Sequence, residues 1–185
     1  MMPVLSSTGL VLHNLGLAAG FGGTLFGKIA LNPAVKVLDS HEERGQVANA
    51  AWNGFNIVNA ASVGLAAITW LVGRSQLTGK EIDSTTRGLV IAKDVLLGAT
   101  VALGAANIFG GAFLAKQAPE GAVPAETGLT PTANTPETAA KTMKAMDVGG
   151  IVNLATMAGV IAITAILNMR AGASTRWSLV ARFLP

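Results

Sequence analysis

The sequence predicts an all-α integral membrane four-helix bundle, and three observations point to it. Only 12% of the 185 residues are charged. The mean hydropathy is +0.52, and the apolar residues gather into long blocks where a soluble domain would show short amphipathic stripes. Four of those blocks, 10–31, 54–73, 95–115 and 148–169, reach the length of about 20 residues that a helix needs to cross a bilayer core. Blocks this rich in Ala, Leu, Ile and Gly lack the alternation of a transmembrane barrel strand, so helices are left to satisfy their backbone.

Residues 1–12 contain no Lys or Arg and the apolar block runs on to Leu31, so a retained span is expected here and not a secretory signal. Asn32-Pro33 should close this span, because proline has no N–H to donate and biases the residue before it away from helix. Ser40-His41-Glu42-Glu43 has the Ser-x-x-Glu form of a capping box, which predicts a second helix from about residue 41 to Gly73. Trp70 near its exit reads as an interfacial anchor. A short polar loop follows, and helix three should run from about residue 87 to Ala115. The third loop, 116–142, holds four prolines among Thr, Ala, Glu and Gly with almost no large apolar residue, which predicts a mobile, wet segment. Helix four should end at Arg170, and the tail 171–185 should lie on the membrane surface.

Basic residues divide evenly between the two sides, so the positive-inside rule gives no orientation. The basic tail and the Pro/Thr-rich third loop favour a multi-pass cell membrane protein with both termini in the cytoplasm.

Within the first span Gly9, His13, Gly16, Gly20, Gly23 and Gly27 recur at steps of four and three. They share one helix face, and Gly16, Gly20, Gly23 and Gly27 should form a seam that lets another helix approach closely. The neighbour could belong to this chain, to a second copy in a homo-oligomer or to a larger membrane complex. The same face carries His13. Its functional reading is a ligand to haem or a metal, or a proton relay. Its simpler reading is a neutral ring hydrogen-bonded to an asparagine or a carbonyl.

Helix two carries an amide stripe, Gln46, Asn49, Asn53 and Asn56, with Asn59 beside it. Amides facing lipid would go unsatisfied, so they should turn toward the bundle interior or a water-filled cleft. Asn107, Asn153 and Asn168 on the later helices offer partners. Lys93 and Asp94 read as interfacial anchors, the lysine snorkelling and the aspartate favouring a helix start. Asp94 and Asp147 could alternatively face one another across a cation-binding vestibule.

The chain has no cysteine, which excludes disulfides and thiolate chemistry. It has no phosphate-binding glycine loop, no histidine pair at metal spacing and no nucleophile elbow, so no catalytic residue, resident metal or cofactor is expected. A net charge of +3, dispersed to loop ends, gives no basis for nucleic-acid binding.

The stretch LHNLGLAAGFGGTLFGKIALNPAVKVL followed by ERGQV resembles the amino-terminal half of small four-span proteins of the uncharacterised transmembrane drug-resistance-associated family. His13, Ala18, Gly22, Gly23, Phe26 and Pro33 carry the likeness, and copper-resistance D-type membrane proteins share a similar first helix. The resemblance covers about a third of the chain and implies a four-helix membrane protein without an established reaction. Three readings of function follow from the residues. The first is a non-enzymatic accessory or assembly subunit packing through its glycine-rich first helix in the lipid bilayer. The second is a small transporter or permeation factor with an asparagine-lined path. The third is a redox protein holding haem, quinone or copper near His13.

Overall fold

The computed structural model describes residues 4–74, 83–117 and 122–173. Four long helices account for most of them: α1 (Val4–Phe26), α2 (His41–Arg74), α3 (Ser84–Ala115) and α4 (Glu137–Ala173). All four are long and apolar enough to cross a membrane, consistent with a multi-pass membrane protein. The second loop over 75–82 and most of the expected surface tail lie outside the described residues.

Helix α1 does not stop at Pro33. It passes through a π turn, Gly27–Leu31, in which the Asn32 N–H reaches back to the Gly27 carbonyl, and finishes in a 3-10 turn at Val35–Val37. Proline in a regular helix clashes with the carbonyl four residues earlier. The wider π turn just before Pro33 relieves that conflict and carries the helix one turn further. Leu38 is extended, and α2 starts where the capping residues lie, with the Glu43 N–H donating to Ser40 Oγ at 3.0 Å. Asp83 caps α3 by accepting from the Thr86 N–H at 3.0 Å.

The glycine face of α1 packs on α2. A Cβ at Gly16 would meet the Ser62 carbonyl oxygen, at Gly20 the Asn59 amide and Val63, at Gly23 the Phe55 ring and at Gly27 the Trp52 ring. Close approach of this kind gains the dispersion contacts that hold helices together in lipid. Helices α3 and α4 make the second tight pair, with Leu96 against Gly159 and Met146 against Gly110. Contacts between the two hairpins are fewer. Toward one end Leu17, Ala66, Trp70, Val90, Leu97 and Val160, drawn from all four helices, form a closed apolar core. Near mid-bundle Thr100 donates to Thr156 at 2.9 Å.

At the other end residues 122–136 of the third loop, expected to be mobile and wet, lie over the bundle as a cap. The Ala125 N–H donates to the His41 carbonyl at 3.0 Å and the Gly128 N–H to the Asn32 carbonyl at 3.3 Å. Val123 and Ala125 are buried, with Leu114, Ala139 and Met143. Glu126 pairs with His41 Nε2 at 3.0 Å and with Arg44 Nη1 at 3.4 Å. Exposed ion pairs contribute up to about 1 kcal/mol each. Glu126→Ala should therefore let the cap open more often, with proteinase K cutting within 122–136 roughly fivefold faster while the helices stay intact. Unchanged cleavage, read by mass spectrometry, would mean that the backbone bonds alone hold it.

Candidate functional site

Between the hairpins, on the cap side of the closed core, lies a partly open cleft with a cavity volume of about 100 Å³. Steps of four, three and three along α2 bring Asn49, Asn53, Asn56 and Asn59 to its wall. Asn49 and Asn59 are ten residues apart, so the stripe descends about 15 Å into the bundle. Helix α1 adds Thr24, Lys28 and Asn32, again at steps of four. Helix α3 contributes Asn107 and Gly111, and α4 contributes Asp147, Gly150 and Asn153. Seven asparagines thus line one cavity.

Near the cap the lining is mixed: Leu114, Met143 and Met146, with Val123 and Leu129 of the cap itself, are apolar, and Asn32 and Asn49 stand among them. Lys28 and Asp147 form an ion pair that joins α1 to α4 across the cleft, and Trp52 donates its indole N–H to Asn32 Oδ1 at 2.8 Å. Asn59 and Asn153 stand near the middles of their 34-residue spans. They are 8% and 1% exposed, and each amide Oδ1 is buried without a hydrogen-bond partner. Such atoms are rare in folded proteins and call for a physical explanation.

No family model, curated protein or solved structure matches this chain. The site's chemistry is therefore read from its own residues.

The remaining sequence candidates sit elsewhere. His13 is 3% exposed, its Nδ1 donating to the Ala66 carbonyl at 2.7 Å and its Nε2 3.4 Å from the Thr164 hydroxyl. The Nδ1 bond ties α1 to α2, and the buried ring lies against α4 at Thr164, whose hydroxyl donates to the Val160 carbonyl at 2.6 Å. Among the described residues no three His, Asp or Glu side chains gather as a metal site. Trp70 is no interfacial anchor: it is 8% exposed, 6.2 Å from the His13 ring, and donates to Asp94 Oδ1 at 2.8 Å. Lys93 does not snorkel either. It is 1% exposed, its ammonium 3.8 Å over the Trp70 ring, a cation–π arrangement. Asp94 also binds Arg74 Nη2 at 2.8 Å.

Asp94 and Asp147 do not face one another. Met146 packs at Gly110, sixteen residues along α3 from Asp94, so the carboxylates are separated by about 24 Å along the bundle. Asn168 is exposed on α4, away from the cleft. Thr24, Lys28 and Asn32 were missed as site residues because they look like the polar end of a span. Their spacing of four was the available signal, since it puts them on one face of α1.

Proposed function

We propose that this chain is a non-enzymatic multi-pass membrane protein that holds a small molecule in its asparagine-lined cleft beneath the third-loop cap. The observation that carries this reading is the convergence of seven asparagines, from three helices and the π-turn end of α1, on one cavity among four helices apolar enough to cross a membrane. Polar groups inside a bilayer are costly and are retained where they are used. The closed apolar core of Leu17, Leu97 and Val160 ends the cavity, which favours one-sided binding over an open path. A carrier cycle would require that core to part. The glycine seam is filled by α2 of the same chain, so it gives no argument for an external partner helix. His13 supports a structural bridge better than a haem, quinone or copper ligand, because the ring is 3% exposed and its Nδ1–H is held by the Ala66 carbonyl.

Gly150 provides the test, since it lines the cleft and a Cβ there would meet nothing within 4 Å. Gly150→Leu should fill the cavity without disturbing the helices. Native mass spectrometry of the protein in mild detergent should show a small-molecule adduct on the wild type that is lost from Gly150→Leu at unchanged melting temperature. A bare wild type, or an adduct indifferent to the substitution, would overturn the proposal.

A further inference from the structure

We infer that the cleft selects neutral ligands that lead with a hydrogen-bond donor, a hydroxyl or an N–H, and trail an apolar body. This rests on the binding reading above. The floor decides the leading group. Asn59 Oδ1 and Asn153 Oδ1 are both buried, both line the cavity and both lack a donor. The two residues line the cleft at a similar depth: Asn153 stands one turn before Met157, and Met157 Cε and Asn59 Oδ1 lie 3.5 and 3.2 Å from where a Gly20 Cβ would be. An amide oxygen only accepts, so a ketone or ether placed there would set lone pair against lone pair. A hydroxyl or N–H would supply the missing donor.

Charge and the upper wall decide the rest. Lys28 and Asp147 neutralise each other across the cleft, so the site asks for no net charge. Leu114, Met143 and Met146, with Val123 and Leu129 of the cap, offer apolar surface on the cap side of the two asparagines. A molecule polar at its tip and apolar behind it matches both zones.

Matched probes test the selection. 4-Hexylphenol and its methyl ether, 4-hexylanisole, differ in one donor while sharing their apolar body. Binding would be measured by equilibrium dialysis against the protein in nanodiscs, with empty nanodiscs subtracted. The phenol should bind about tenfold tighter, because the site would otherwise leave buried acceptors unpaired. Asn153→Leu, or Asn59→Leu should the first variant fail to fold, should erase that preference while the anisole's binding holds. Equal binding of the two probes to the wild type would overturn the donor rule and leave the cleft reading standing. Binding of neither probe, or binding that Gly150→Leu leaves intact, would overturn both.

Discussion

Gly16→Val should unfold the bundle or lower its melting temperature sharply in detergent, whereas Gly22→Val on the same helix should not. A Cβ at Gly16 meets the Ser62 carbonyl oxygen, and at Gly22 it meets nothing within 4 Å. The obstructing atom belongs to the backbone of α2, so no rotamer change can relieve the clash. Helix α1 would have to move away, loosening Gly20 from Val63 and Gly23 from Phe55. Overpacking that side chains can absorb costs about 1–3 kcal/mol, and a rigid carbonyl places Gly16 at the upper end or beyond. Thermal unfolding followed by size-exclusion chromatography measures the difference. Equal melting of the two variants would show that the seam is not the packing surface.

The second large effect is expected from Asp94→Leu. That carboxylate receives the Trp70 indole N–H and the Arg74 guanidinium, and it is the acid next to Lys93, whose side chain is 1% exposed. Removing this carboxylate takes a compensating charge from beside a buried cation, a change that typically costs about 3–5 kcal/mol. Because the Asp94 side chain is 26% exposed, the lower half of that range is expected. Lys93→Met in the same chain should recover much of the loss, since a hydrophobe of similar length needs no counter-charge. A double-mutant cycle on melting free energies reads the coupling. If the double variant is no more stable than Asp94→Leu, Lys93 is not what Asp94 balances.

What the sequence made legible was local. The capping residues before α2 and the glycine steps of α1 express spacing along one helix, and one helix is what a sequence displays directly. The amide stripe of Asn49, Asn53 and Asn56 was visible for the same reason. Lys93 was misread because its surroundings come from Trp70 on another helix, and the distance from chain to chain neighbour carries no trace of that. Lys28 and Asp147 are 119 positions apart, so their pairing depends on how α1 and α4 meet. The cap was missed for a subtler reason. Its composition lacks large apolar residues, yet the bonds from Ala125 to His41 and from Gly128 to Asn32 are made by backbone, to which side-chain composition is blind. At Pro33 the breaker rule held for a regular helix, and a π turn changed the helix.

Two hairpins packed on a closed core at one end and latched across a cleft at the other by the Lys28–Asp147 pair have the mechanics of a pair of tongs with a catch. A guest seated between the jaws would be felt chiefly as a load on that catch, with the core end acting as a pivot. The segment laid over the jaws, joined to α2 by the Ala125–His41 bond and to α4 by the chain itself, would then report any spreading on the outer surface of the protein.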